Sequence, residues 1–376
     1  MTLTSISEKV NAGVPLSFED GVALFHEPDL LKLGALANQV RERRYGDRTT
    51  FNRNLHINPT NLCVASCALC SFSRRSLEQP GAYTLSLSQA WDKLKTRLEA
   101  GDPVTEVHVV GGLSDSLPFD YYTDLLAGLK RRLPSLHIKA FSAVEIFHFH
   151  KLFQLQVREV LQHLRAAGLD SLPGGGAEIF ASRVRQRICP NKCNAQEWLD
   201  VHRTAHQMGL RSNCTMLYGT IETIEERVEH LLRLRALQDE TSGFQAFIPL
   251  AFHPENNSLA HLPAPSAVAD LRVCAVARLV LHNIPHIKAY WVSLGIKTAQ
   301  TALWFGADDL DGTVQEEKIY HLAGSDAPQA LAPAEIVHLI RAAGRTPVER
   351  DTLYSVVAEG EALPARACAS PAGEPR

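Results

Sequence analysis

The residues of this chain that are best suited to chemistry are three cysteines within eight positions. Cys63, Cys67 and Cys70 form a C-x3-C-x2-C pattern, while the other five cysteines lie between residues 189 and 368. Thiolates are the ligands that zinc and iron–sulfur clusters prefer. A structural zinc site usually has four ligands, and no fourth cysteine or histidine follows at a matching spacing here. The pattern therefore favours an iron–sulfur cluster held by three cysteines.

A 4Fe-4S cluster held by three cysteines leaves one of its irons without a protein ligand. That iron can bind the amino and carboxylate groups of S-adenosylmethionine (SAM), and reduction of the cluster then cleaves the bond between sulfur and C5′. The product of this cleavage is a 5′-deoxyadenosyl radical. Structural zinc, a four-cysteine electron-transfer cluster and a chance grouping of buried thiols remain alternatives at this point.

A second pair of cysteines, Cys189 and Cys193, is separated by three residues. Pro190 and Asn191 lie between them and predict a loop rather than a helix. We interpret this pair as incidental to the chemistry, with a second metal site as the alternative.

The elements that must position the first three cysteines are short apolar runs alternating with longer amphipathic stretches, which is typical of βα units. Eight strands are predicted, at residues 55–58, 106–110, 137–142, 171–173, 212–217, 244–252, 287–292 and 307–310. Helical periodicity fills the intervals between them. Eight such units predict an α/β fold, a (β/α)8 barrel of the TIM type, with the cysteines just after the first strand. The alternative, an open doubly wound sheet, lacks its G-x-G-x-x-G signature here.

Length and composition restrict the remaining possibilities. The 376 residues carry a net charge of −3, which argues against nucleic acid as a partner. No apolar run approaches the ~20 residues of a membrane helix, and the first residues do not resemble a signal peptide. We therefore expect a cytoplasmic protein with no membrane partner. We predict an N-terminal helical extension at residues 1–50, the barrel at 51–320, and a C-terminal helical segment with a flexible tail at 321–376.

The cysteine motif, directly after the first barrel strand, resembles that of the radical SAM superfamily. The resemblance implies the barrel form of that superfamily, a 4Fe-4S cluster on Cys63, Cys67 and Cys70, and SAM as co-substrate. Leu69 is then expected against the adenine, and the glycine pair after the second strand near the methionine amino group. Glu145 is expected at the ribose, or alternatively as a helix-capping acid. The residues that the resemblance assigns to SAM are Leu69, Phe72, Gly111, Gly112, Ser142 and Glu145.

Longer stretches are similar to one subgroup of this superfamily, the futalosine-pathway and deazaflavin-pathway synthases. These stretches are residues 56–61, 70–74, 172–180 and 215–219. Residues 170–172, 244–256 and 308–313 are most similar to the synthases of menaquinone biosynthesis that add the adenosyl radical to 3-(1-carboxyvinyloxy)benzoate. The resemblance implies an external one-electron reductant of the flavodoxin or ferredoxin type. A sister cyclase, a deazaflavin-pathway synthase acting on tyrosine, and a non-catalytic electron carrier are the alternatives.

That substrate carries two carboxylates, so cations or hydrogen-bond donors are expected near the strand ends. His253, which follows the sixth predicted strand, is the strongest candidate, with a purely structural histidine as its alternative. The glycine run could bind through its backbone N–H groups or serve only packing. The candidate substrate-binding residues are Asn58, Arg74, Gly174, Gly175, Tyr218 and His253. The chain departs from the subgroup's pattern at Ser114, Thr220 and His282.

Overall fold

A curved sheet of seven parallel strands, in sequence order, forms the centre of the computed structural model, which describes residues 2–363. Its strands are β2 (Asn54–Ile57), β3 (Glu106–Val109), β4 (His137–Ala140), β5 (Ser171–Leu172), β6 (Arg211–Tyr218), β7 (Phe244–Ala251) and β8 (His286–Ile287). The first six were predicted from the sequence at nearly these positions, whereas the strand predicted at 287–292 is limited to His286–Ile287, because the chain enters a helix at Trp291.

Helices follow every strand of this sheet, as the (β/α) pattern requires. In chain order they are α1 (Leu3–Asn11), α2 (Phe18–His26), α3 (Leu30–Tyr45), α4 (Leu87–Glu99), α5 (Phe119–Arg132), α6 (Ala143–Phe153), α7 (Val157–Ala166), α8 (Ser182–Ile188), α9 (Ala195–Gln207), α10 (Ile224–Thr241), α11 (Ala267–Val280), α12 (Trp291–Leu294), α13 (Ile296–Ala302), α14 (Ile319–Leu322) and α15 (Pro333–Ala342). A 3-10 turn, Gly360–Ala362, closes the described chain.

The strands are apolar on the face that packs against the helices and polar on the inner face. On β2, Leu55 and Ile57 are fully buried in the hydrophobic core, whereas Asn54 and His56 line an internal cavity. Successive side chains of a strand point to opposite faces, so this alternation follows directly from the sequence. The same alternation on β3 and β4 gives the barrel a polar lumen.

The predicted eighth strand is present as β9 (Asp309–Gly312), but its ladder partner is not in the barrel sheet. It pairs with β1 (Arg48–Asn52), which continues to β10 (Thr346–Arg350) and the antiparallel edge strand β11 (Val356–Glu359). Single bridges, Lys288–Asp309 and Leu55–Gln315, connect this region to the two edges of the barrel sheet. The barrel sheet therefore has seven strands rather than eight. The second sheet lies between its two edge strands, β8 and β2, where the eighth strand was predicted.

The N-terminal segment is helical, and the C-terminal segment differs in detail from the sequence expectation. Three helices precede the barrel, and the second begins with a capping box at Ser17, whose hydroxyl accepts from Asp20 N–H. The C-terminal segment is not only helical, because β10 and β11 follow α15. The strand that follows the N-terminal helices, β1, and the last two strands of the described region, β10 and β11, thus belong to one sheet. The domain division stays a prediction, and the predicted tail lies largely outside the described residues. Within residues 2–363, every helix is too short or too polar to span a membrane.

Candidate functional site

The three cysteines lie on a loop that follows β2 and is held in place by backbone hydrogen bonds to neighbouring loops. Cys63 N–H donates to the carbonyl of Arg74 (2.9 Å) and Ala68 N–H to that of Ile188 (2.8 Å). All three thiols are free and half-buried. They line a cavity of about 290 Å³ that continues into the lumen of the barrel.

The arrangement of the thiols fits a 4Fe-4S cluster better than a single metal ion. Within residues 2–363, no three Cys, His, Asp or Glu side chains converge so as to hold one ion. A cluster does not require such convergence, because each thiolate binds a different iron. The three free thiols on one cavity wall would each bind one iron of the cluster, and the fourth iron would face the cavity, where a ligand can bind it.

The glycine pair after β3 fits against the cysteine loop. Gly112 N–H donates to the carbonyl of Thr60 (2.8 Å), and Val64 N–H donates to that of Leu113 (2.9 Å). A Cβ on Gly112 would lie 2.1 Å from the carbonyl oxygen of Leu62. The close approach that requires glycine at position 112 is therefore between two loops of the protein.

Glu145 caps helix α6 and lines the cavity at the same time. Its carboxylate accepts hydrogen bonds from Gly111 N–H (2.9 Å) and from both the N–H and the hydroxyl of Ser142 (2.7 Å each). Burial raises the pKa of this carboxyl to about 7, although those hydrogen bonds oppose the shift. The structure confirms Glu145 as a capping acid and places it on the cavity wall, and its contact with the ribose of SAM stays a prediction.

All six residues assigned to SAM lie in the wall of the cysteine cavity. They are Leu69, Phe72, Gly111, Gly112, Ser142 and Glu145. Their roles toward SAM stay predictions, but the structure brings them together with the three thiols.

Three of the six candidate substrate residues, Gly174, Gly175 and His253, also line the cavity. A Cβ on Gly174 would lie 2.7 Å from the Cα of Cys214, whereas nothing lies within 4 Å of one on Gly175. Gly174 therefore serves packing, and Gly175 presents its backbone to open space. Nε2 of His253 lies 2.8 Å from the Ser293 carbonyl oxygen, and its ring packs edge-on against Tyr320.

The other three candidates do not line the cavity themselves, and each of their side chains bonds another part of the protein. The Asn58 amide donates to the Val110 carbonyl (2.9 Å). The guanidinium of Arg74 donates to carbonyls of the loop that follows Cys70, at Ser71, Phe72, Ser73 and Pro80. The Tyr218 hydroxyl donates to Asp270 (2.7 Å) behind the sheet and is fully buried. The structure thus gives these three side chains stabilising contacts rather than a place on the cavity wall.

Sequence reasoning missed the charged residues of the lumen. Lys192 forms an ion pair with Glu178 (2.5 Å) close to the cysteines, and Lys139 forms one with Glu106 (2.8 Å) deeper in the barrel. Burial opposes charge on Lys192, but its electrostatic interactions with Cys67 and Glu178 raise its pKa well above the usual value. The signal was available: Asn54-Leu55-His56-Ile57 and Glu106-Val107-His108-Val109 alternate polar and apolar residues within barrel strands. An apolar-filled barrel interior has no polar alternation, so the pattern indicates a lumen for a polar ligand.

Comparison with known proteins decides the family. The family model of the Radical SAM superfamily matches residues 57–234, and that of the CofH/MqnC C-terminal region matches residues 241–363. The chain is 49% identical to aminodeoxyfutalosine synthase of Thermus thermophilus over 94% of this chain and 96% of that protein. The chain belongs to the aminodeoxyfutalosine synthase family of radical SAM enzymes.

Two further relatives are similar to this chain in sequence, and one solved structure is similar to it in fold. Aminodeoxyfutalosine synthase of Streptomyces coelicolor is 45% identical, over 95% of this chain and 94% of that protein. The 5-amino-6-(D-ribitylamino)uracil--L-tyrosine 4-hydroxyphenyl transferase of Methanopyrus kandleri is 40% identical, over 94% and 97%. The crystal structure of methylornithine synthase (PylB) has a TM-score of 0.73 at 19% identity, with 91% of this chain and 97% of that chain covered. This last likeness confirms the predicted barrel fold.

Family membership settles the cofactors. Radical SAM enzymes of the family use a 4Fe-4S cluster and SAM, and the chain supplies the three free thiols beside one cavity that this requires. Cys189 and Cys193 lie in the predicted loop after α8, both buried in the core.

The departures from the subgroup's pattern place no side chain on the cavity wall. The Ser114 hydroxyl bonds that of Ser116, and the Thr220 hydroxyl donates to Glu222 (2.8 Å). His282 lies just beyond the end of α11 rather than inside it.

Proposed function

We propose that this enzyme adds the 5′-deoxyadenosyl group of SAM to the methylene carbon of 3-(1-carboxyvinyloxy)benzoate. Methionine is released, the aryl group migrates, one carboxyl group leaves as carbon dioxide with release of a proton, and 6-amino-6-deoxyfutalosine forms. The observation that carries the proposal is a single cavity that extends from the three cysteine thiols to a polar lumen. The chain that forms this cavity is 49% identical to aminodeoxyfutalosine synthase of Thermus thermophilus. A SAM bound at the thiols and an anionic aromatic substrate in the lumen would share this cavity.

The cluster, when bound, supplies the electron that cleaves SAM; the protein's own residues bind, orient and exclude water. The ammonium of Lys192 lies between Glu178 and the cysteines, where it can attract the SAM carboxylate. Leu217, Ile248 and Leu250 contribute apolar side chains to the cavity wall. A 5′-deoxyadenosyl radical abstracts hydrogen from accessible groups, so this wall must hold the alkene carbon at the short distance that addition requires.

We infer that an external one-electron reductant of the flavodoxin or ferredoxin type reduces the cluster in the cytoplasm. The cysteine loop supports this inference, because Val64, the residue after the first cysteine, is exposed at the surface. A docked protein could approach the cluster from that side.

The test is an anaerobic assay of cluster-loaded enzyme with SAM, the enol ether and a reductant, followed by mass spectrometry. We expect one product that contains both the adenosyl unit and the benzoate, together with free methionine. Cys67→Ala is expected to abolish this product, whereas Cys274→Ala, a buried cysteine in α11, is expected to retain it.

Two other results would contradict the proposal. Free 5′-deoxyadenosine without the adenosylated product would favour a hydrogen-abstracting sister enzyme, and adding tyrosine with 5-amino-6-(D-ribitylamino)uracil would then identify the deazaflavin-type reaction. Absence of SAM cleavage in protein shown to contain its cluster would exclude both.

A further inference from the structure

A row of basic side chains crosses the inner face of the barrel sheet below the cysteine loop. His56 on β2 pairs in register with His108 on β3, and His108 pairs with Lys139 on β4. All three side chains line the cavity. Cys63 follows His56 by seven residues, after β2 has ended, so the row lies within the barrel and the thiols lie at its mouth.

His108 has an unused hydrogen-bonding atom on this row. Its Nε2 is buried and has no partner among the described residues. The rings of His56 and His108 are 4.6 Å apart and tilted by 56°, so each fixes the position of the other. Burial lowers the pKa of His108 well below its usual value, and His56 and Lys139 lower it further. A neutral imidazole retains one N–H donor.

The neighbouring lysines also have donors to spare. Lys139 bonds one carboxylate, that of Glu106 at 2.8 Å, and Lys288 bonds that of Asp311 at 3.1 Å. Glu106 is further occupied by the Thr352 hydroxyl (2.7 Å). An ammonium carries three N–H donors, so each lysine can bond a ligand without leaving its carboxylate.

We propose that His108, Lys139 and Lys288, supported by His56, bind the carboxylate on the aromatic ring of the substrate. The inference rests on the proposed function and adds an orientation to it. The alkene must face the thiols, where the adenosyl group is released, and the second carboxylate is attached to that alkene. The ring carboxylate lies at the opposite end of the molecule and therefore points toward the row in the lumen.

The positive and negative charges of this region balance, so a ligand carboxylate would be bound by hydrogen-bond donors rather than by net positive charge. Lys139, Lys288 and Arg350 are matched by Glu106, Asp309 and Asp311 in the same part of the barrel. A ligand carboxylate gains little from such a balanced set unless it receives directed hydrogen bonds. Bonds to a charged acceptor are among the stronger hydrogen bonds in proteins.

The experiment measures binding to unreduced, cluster-loaded enzyme with SAM, so that no turnover occurs. Two unreactive ligands are compared by calorimetry: 3-(carboxymethoxy)benzoate and phenoxyacetate, which differ only in the ring carboxylate. We expect the wild type to bind the first at least ~10-fold more tightly, as one or two charge-assisted hydrogen bonds provide. In His108→Phe, the ratio of the two affinities is expected to fall to about 2, while the affinity for phenoxyacetate stays unchanged. His108→Gln retains an N–H donor, so the ratio is expected to recover in part.

His163→Phe, an exposed histidine on α7, is the matched control and should keep the wild-type ratio. Equal affinity for the two ligands in the wild type, or a ratio that His108→Phe and His56→Gln both leave unchanged, would overturn the inference. Formation of the adenosylated product together with either result would show that the proposed function stands and only the orientation is wrong. Loss of that product in the wild type would instead overturn the proposed function.

Discussion

At the scale of single residues, glycines on the same cavity wall have different physical roles. Gly112 is required because the carbonyl of Leu62 occupies the space of a Cβ, and its loop supports the cysteine loop. Gly175 has open space around it and is half-exposed to the cavity. The first is therefore a structural requirement of the cluster-binding loop, and the second is a place where a ligand can approach the backbone.

Gly112→Ala is expected to impair cluster loading, because a methyl group 2.1 Å from a carbonyl oxygen must push the two loops apart. Overpacking of this kind costs about 1–3 kcal/mol. The measurement is iron and sulfide content per chain after anaerobic reconstitution, together with the urea midpoint. Gly175→Ala is the control and should load normally, while its affinity for SAM or substrate changes. Equal iron content in the two variants would contradict the assignment.

The sequence was most informative about residues where local pattern alone decides the role. The cysteine spacing and the six residues assigned to SAM are local features, and the structure brings all of them to one cavity. Arg74 and Tyr218 were placed near the substrate because they follow strand ends or cysteines. Their partners depend on which way the chain turns. For Tyr218 the parity of β6 could have helped, since Asn213, Thr215 and Leu217 line the cavity and position 218 must face the helices.

At the scale of elements, the second sheet shows where sequence patterns stop being sufficient. The strand pattern near residue 309 predicts an eighth barrel strand, but nothing local says whether its partner is β8 or β1. A buried ion pair distinguishes the two, because Nε of Arg350 on β10 lies 2.6 Å from the Asp309 carboxylate on β9. Thr50 on β1, between them in the sheet, also donates to Asp309 (2.9 Å). A contact such as that between Thr50 and Asp309, which are 259 positions apart in the chain, cannot be read from periodicity.

Arg350→Met is expected to destabilise the protein by about 3–5 kcal/mol, because it leaves the buried carboxylate of Asp309 without its nearer charged partner, with only the Lys288 ammonium 3.9 Å away. Both side chains are almost fully buried, at 1% and 0% exposure. The matched control is Arg48→Met in the same sheet, where the ion pair with Glu359 is 44% and 39% exposed. Loss of such an exposed pair costs about 0–1 kcal/mol.

Urea unfolding of cluster-loaded protein at neutral pH gives both values for this comparison. The double variant Arg350→Met/Asp309→Asn should recover part of the loss, since no uncompensated charge remains. Similar losses in Arg350→Met and Arg48→Met would show that the ion pair does not hold the second sheet in place.

At the scale of the whole molecule, we expect three buried or half-buried histidines to make the fold sensitive to acid. His202, His206 and His230 lie between the helices and the sheet, where they contact the rings of Trp198, Phe244 and Phe180. Burial lowers the pKa of His206 to about 4 and that of His230 to about 3. In the unfolded chain both groups titrate near 6.5. The unfolded state therefore binds more protons than the folded state between these values, and stability rises with pH in that range.

His206→Asn isolates one of these contributions. The two ring nitrogens of His206 bond the hydroxyls of Thr241 and Ser212 at 2.7 Å each, an arrangement that suits the neutral ring. A shift from 6.5 to about 4 makes the folded state less stable by as much as about 3 kcal/mol at the acid end, with the loss beginning as the pH falls below 6.5. Urea unfolding at pH 7 and pH 5 should show a smaller drop for His206→Asn than for the wild type. His163→Asn, at an exposed position, should show the same pH dependence as the wild type, and this comparison also controls for effects of acid on the cluster. The same pH dependence in all three proteins would place the acid sensitivity elsewhere in the chain.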